Sequence, residues 1–139
     1  MPQELPERLE AGTVNVPGIA GLSEGLRWIL HRGVEKIGQR EASAAAFCGK
    51  VLEAMGVRVF RGPSQGGTLS FQTKKDPEEV AQVLAARGIA VRAGLHCAPL
   101  AHESAGTLDR GTVRVSFSPF TGREEAEIFL SAVKVSGVM

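Results

Sequence analysis

Tyrosine is absent from this 139-residue sequence, tryptophan occurs once, and cysteine and histidine number two and three. Two cysteines as far apart as Cys48 and Cys97 do not make the disulfide framework of a small secreted domain. No charged-then-apolar leader is present, and no apolar run is long enough to span a bilayer. A reducing cytoplasm is therefore the expected compartment, one in which a free thiol is available for chemistry. The formal charge is +1, so bulk electrostatics predict no nucleic-acid partner and no membrane surface. Repeats and low-complexity tracts are also missing. The stretch Gly62–Gly67 lacks the glycine-lysine-serine ending of a phosphate-cradling loop and reads as a turn. His96, Cys97 and His102 lack a clear fourth ligand, and adjacent residues rarely bind one zinc together, so no metal site is expected.

What remains suits one compact domain over residues 1–139, long enough to bury a core. Met1 to Asn15, with Pro2 and Pro6, reads as an extended arm that lies on something else. A helix is predicted from about Pro17, with Ile19, Leu22, Leu26 and Ile29 on one stripe and His31-Arg32-Gly33 as its stop. A longer helix follows over 34–55, with Cys48 on its apolar side and expected to be buried and inert. Val57 to Phe60 and the alternating Leu69 and Phe71 read as a strand pair. Asp76-Pro77-Glu78-Glu79 is a helix start with a capping box. Ile89 and Val91 form a third strand. Ala98 to Gly111 has no apolar period and reads as a long irregular loop. Val113, Val115 and Phe117 form the last strand, and Thr121-Gly122-Arg123-Glu124 reads as a capping box opening a final helix. The order predicts an α+β domain: a small, mostly antiparallel sheet of 3–4 strands with helices packed on one face. The other face of such a sheet can stay open to a partner.

The chemistry-bearing residues gather late in the chain. Ala90 to Leu100 runs from a short apolar strand through Arg92 and a glycine turn to His96, Cys97 and Pro99. Thiolates form most readily beside positive charge, and Cys97 has basic neighbours, so it is either a reactive thiol on a mobile loop or a small apolar residue tucked under one. Alternation turns Arg92 away from Ile89 and Val91, and Arg114 away from Val113 and Val115. If these strands are neighbours, both guanidiniums share the uncovered face near Cys97. Arginine's planar fork matches a carboxylate, so Arg114 is a candidate carboxylate binder and Arg92 a second cation; the alternative is a pair of solvated surface charges. His96 either tunes the thiol and moves a proton or is an exposed loop histidine.

Three separated motifs point to a family. Arg8-Leu9-Glu10-Ala11-Gly12-Thr13-Val14-Asn15 with Gly18-Ile19-Ala20-Gly21-Leu22, then Gly88 to Pro99, then Gly111-Thr112-Val113-Arg114-Val115-Ser116-Phe117, resemble the small C-terminal domain of class V aminotransferases of the cysteine desulfurase and selenocysteine lyase type. In order and spacing the likeness runs along essentially the whole chain. It implies a pyridoxal phosphate enzyme that takes sulfur from cysteine and leaves alanine. Cys97 then corresponds to the cysteine that becomes a persulfide, and Arg114 to the arginine holding the substrate carboxylate. Thr13, with Gly12 beside it, corresponds to the threonine that reaches the cofactor phosphate of a neighbouring subunit. Arg92 and His96 correspond to positions lining the active site.

Two departures stand out. Val14 takes the place of a usual proline. The large domain with the Schiff-base lysine is not in the sequence: none of Lys36, Lys50, Lys74, Lys75 or Lys134 follows a histidine. The resemblance thus implies a chain that binds no cofactor by itself and is inactive alone, paired with a missing or separately encoded large domain. It also implies a homo-oligomer and a sulfur-acceptor protein as possible partners. The alternative is a non-enzymatic persulfide carrier or interaction module.

Overall fold

The computed structural model describes residues 2–10 and 12–136. Met1, Ala11 and the last three residues of the predicted 1–139 domain lie outside them, Ala11 being one position of the first family-like motif. The chain forms two compact units, Met1–Val34 and Glu35–Met139.

In the first unit, residues 4–10 form hydrogen-bonded turns where an extended arm is predicted. Arg8 N donates to Glu4 O at 2.8 Å and Leu9 N to Pro6 O at 2.9 Å, so local backbone bonds replace the partner surface an extended segment would need. Helix α1 (Val16–Arg32) starts where Asn15 Oδ1 accepts from Gly18 N at 3.0 Å, and it ends at Gly33 with φ 85°. No residue of α1 is buried; Ile19, Leu22 and Leu26 are each more than half exposed.

The second unit holds the sheet. Its elements are α2 (Val34–Ala54, whose first residue belongs to the other unit), β1 (Val59–Phe60), β2 (Thr68–Phe71), α3 (Pro77–Ala85), β3 (Arg92–Gly94), α4 (Pro99–Ala105), β4 (Thr112–Ser116) and α5 (Arg123–Val135). The four-stranded sheet has the order β1-β2-β4-β3, and every pairing is antiparallel. Period-2 alternation gives it two unlike faces. Leu69 and Phe71 stand opposite Val115 and Val113, and all four are buried. Ala45, Cys48 and Leu52 of α2, Val80 and Leu84 of α3, and Phe129 and Val133 of α5 pack on that row in one core. Phe129 meets Phe71 and Phe117 edge to face, with centroids 6.2 and 6.3 Å apart, the geometry the ring quadrupoles favour. The predicted α+β class, antiparallel sheet and strand pair are all present.

Four local predictions are corrected. The third strand is Arg92–Gly94, with Ile89 and Val91 in the connection before it, and at the start of α3 the Asp76 side chain accepts from Glu78 N rather than from Glu79 N. The stretch 98–111 is not irregular throughout: it contains α4. Pro99 occupies the first turn, and Gly106 takes the left-handed conformation that closes the helix, a combination suited to a short helix. Its one buried residue is His102, so no apolar stripe announces it. The cap of α5 is shifted by one residue. Glu125, not Glu124, accepts from the backbone N–H of Gly122, because the Thr121 hydroxyl accepts from Ser118 N at 3.0 Å. No helix among the described residues is long and apolar enough to cross a membrane.

Candidate functional site

The second sheet face is polar. Ser70 stands opposite Arg114, and Arg114 opposite Arg92. Two residues along β4, Thr112 lies on the same face and opposite Gly94. The two guanidiniums are thus cross-strand neighbours. Like charges placed directly opposite repel, so an arginine pair of this kind favours an anion between or upon it. Arg114 is partly buried, and its Nε has no hydrogen-bond partner among the described residues. An unmet buried donor costs roughly 1–3 kcal/mol.

From Gly94, at the end of β3, the chain enters the turn Leu95-His96-Cys97-Ala98, closed by Ala98 N donating to Leu95 O at 2.9 Å. His96 (φ 52°) and Cys97 (φ 58°) both sit in the left-handed region, which side chains with a Cβ seldom occupy. Residues held there cluster at functional sites, and the surrounding structure must over-determine them. Here it does. Gly94 and Gly111 approach so closely that a Cβ on Gly111 would stand 2.7 Å from the Gly94 backbone, and α4 begins directly after Ala98. Cys97 is exposed and sits on a tight, hydrogen-bonded turn.

His96 folds back over the polar face. Its Nε2 lies 3.2 Å from Thr112 Oγ1, and its ring lies 5.7 Å from that of His102, tilted by 39°. Burial, then Arg114 and His102, then Arg92, hold His96 below the usual histidine pKa; a backbone hydrogen bond at Thr112 works the other way. The neutral imidazole, which can accept a proton, is therefore favoured. Burial instead pushes the Cys48 thiol up to about 11, so Cys48 stays protonated at neutral pH.

Of the predicted site residues, Arg92, His96, Cys97 and Arg114 are brought together at this end of the sheet. Gly12 (φ 91°) and Thr13 are exposed in a bend before α1, within the first unit. Sequence reasoning missed Thr107 and Thr112, and weighed His102 only as a metal ligand. Alternation alone puts Thr112 on the face of Arg114, a usable signal. The partnership of His102 with Thr107 depends on α4 and carried none.

Comparison with known proteins adds context. A family model described as Aminotransferase class-V matches residues 2–129. The chain is 35% identical over 134 residues to cysteine desulfurase CsdA of Escherichia coli (strain K12), covering 94% of this chain and 32% of that protein. It is 38% identical over 132 residues to a probable cysteine desulfurase of Mycolicibacterium paratuberculosis (strain ATCC BAA-968 / K-10), covering 93% and 19% respectively. Among solved structures, the apo cysteine desulfurase from Thermococcus onnurineus NA1 superposes with a TM-score of 0.82 at 33% identity, over 95% of this chain and 34% of that one. The chain thus spans about a third or less of the length of the relatives it matches.

Proposed function

The chain belongs to the class-V aminotransferase family, and from that premise we propose that residues 1–139 are the C-terminal domain of a pyridoxal-phosphate-dependent cysteine desulfurase. One observation carries this: an exposed cysteine on a constrained turn, at the end of a strand whose Arg92 stands opposite Arg114. Cys97 is the persulfide nucleophile. Arg114 binds the substrate carboxylate, which gives its unpaired Nε and planar fork their acceptors, and Arg92 adds a second cation. His96 carries the proton. Gly12 and Thr13 contact the cofactor phosphate of a neighbouring subunit. The enzyme works in the cytoplasm as a homodimer; the exposed apolar side of α1 supports association.

The residues around Cys97 fit an amino-acid carboxylate but not the attachment of the cofactor. Lys36 and Lys50 lie on α2 and Lys134 on α5, helices whose buried residues pack on the apolar face; Lys74 is exposed in the bend before α3, and Lys75 Nζ reaches Ser136 O at 3.5 Å. The lysine therefore comes from a larger domain, on the same or a separate polypeptide, and the chain alone is inactive. Held there, the cofactor supplies an electron sink for the substrate carbon skeleton.

The part of this chain is nucleophilic. The Cys97 thiolate attacks the substrate sulfur, and an S–S bond forms as the substrate C–S bond breaks. The C–S electron pair goes to the carbon skeleton, which takes up a proton and leaves as alanine. His96, mainly neutral, removes the Cys97 proton beforehand.

The chain is mixed with the cofactor-lysine domain of a related cysteine desulfurase, pyridoxal phosphate and cysteine. Alanine and one added sulfur atom on Cys97 are expected, and Cys97→Ser abolishes the loading. Alanine made equally well by Cys97→Ser rejects the role of the thiol. The exposure of Cys97 without a lysine beside it favours a second reading, a persulfide carrier. Loading of Cys97 from a persulfide donor, with no alanine at any mixing ratio, selects that reading over the first.

A further inference from the structure

Helix α4 buries one side chain, and it is a histidine. His102 is 7% exposed, and its Nδ1 lies 2.8 Å from Oγ1 of the fully buried Thr107. The backbone reinforces the pair: Thr107 N donates to His102 O at 2.8 Å, and Gly111 N to Thr107 O at 2.7 Å. Arg58 Nη2 donates to Ala105 O at 3.0 Å and so ties the end of α4 to the strand side. A leucine or phenylalanine would cover this face of the sheet without desolvating an imidazole. What the imidazole adds is a ring whose orientation is set by a hydrogen bond, and that ring is the one packed against His96. Beyond His96 lies Thr112, 3% exposed. Thr107, His102, His96 and Thr112 thus form a continuous column from the inner side of α4 to β4. A cavity of about 140 Å³, lined in part by Ser70, His102, Thr107 and Thr112, lies alongside it.

We infer that His102, fixed by Thr107, is a positioning residue that holds the His96 imidazole against Thr112 and beside the Arg92–Arg114 pair, and so sets the pH range over which Cys97 reacts. The inference rests on the reading of Cys97 as the nucleophile and His96 as its proton carrier. The charged and titratable groups around His96 are Arg92 from β3, Arg114 from β4 and His102 from α4; Glu78 of α3 lies against Gly94. Loss of the His102 ring lets water reach His96 and removes a neighbour that disfavours charge on it, and both changes favour the imidazolium.

The test uses the full chain, with no cofactor and no partner domain. His96 is titrated by NMR, and the rate of Cys97 alkylation by iodoacetamide is followed against pH. His102→Asn keeps a group that can bond Thr107 but removes the ring. Thr107→Val removes the hydroxyl at nearly constant volume, and Thr107→Ser restores it. In His102→Asn and Thr107→Val the His96 midpoint and the histidine-linked inflection of the alkylation profile are expected to move up together by several tenths of a pH unit. Thr107→Ser is expected to match the parent.

Unmoved midpoints in folded His102→Asn and Thr107→Val overturn the inference, as does a His96 midpoint that moves while the alkylation profile does not. If the variants fail to fold, the parent decides. A ring-to-ring nuclear Overhauser effect between His96 and His102, with a His96 midpoint below the ordinary value, supports the inference; absence of either overturns it. A chain that shows the coupled shift but takes no sulfur in the mixing assay keeps the column and loses the desulfurase reading, so the two failures are distinguishable.

Discussion

The two faces of the sheet are written in alternate residues of the same strands, yet they do opposite work. Leu69, Phe71, Val113 and Val115 are closed under α2, α3 and α5. Ser70, Thr112, Arg114 and Arg92 share the other face with a repelling arginine pair and an unmet buried donor. One face supplies stability through apolar burial. The other carries a cost in local stability, which on the function proposed above keeps the arginine pair ready for a substrate carboxylate. The cysteines divide in the same way: Cys48 lies in the core with its thiol pushed up to about 11, while Cys97 is exposed on the turn beside the polar face.

Several substitutions would break or sharpen this contrast. The largest effect is expected from Phe71→Ala, which leaves a hole beside Phe129 and should cost about 3–5 kcal/mol in denaturant unfolding. Next comes Gly111→Ala. Its Cβ would stand 2.7 Å from the Gly94 backbone, at a φ of +74°, so a loss of roughly 1–3 kcal/mol is expected by thermal melting, together with altered alkylation of Cys97.

Two pH effects follow in size. Below pH 9.0 the Cys48 thiol is protonated in both states; above it the unfolded thiol ionises while the folded one holds its proton to about 11. Stability should therefore fall as pH rises through that window, and Cys48→Ala should flatten the slope. His96, held below 6.5 in the fold, is protonated first in the unfolded chain as pH drops. Stability should fall below about pH 6.5, and His96→Asn should remove that component of the acid limb, seen in urea midpoints against pH. The smallest effect belongs to Ser70→Ala, the sequence neighbour of Phe71 on the other face. It should stay within about 0.5 kcal/mol, and a larger loss would mean that the polar face carries stability after all.

Much of the fold was legible because hydrophobic periodicity is a local property. The stripe of α2, the alternation in β2 and β4, and Asp76 accepting from Glu78 N at the start of α3 all lie within a few residues of one another. Helix α4 was not legible, since it buries one histidine and presents no apolar stripe. The α5 cap slipped by one residue because Thr121 had a nearer partner in Ser118. In the site, alternation placed Arg92 and Arg114 on one face only on condition that β3 and β4 are neighbours. The strand order that makes them so is a long-range fact.

The chain's order of apolar and polar residues determined its elements, its class and the family motifs, because propensity, capping and period act over short stretches. Which rows meet across strands, and which histidine lies against which, was decided by tertiary packing. Contacts such as Gly94 with Gly111 and His102 with His96 exist only after distant segments close on one another. The free energy that selects them is that of the whole core, not of any single stretch.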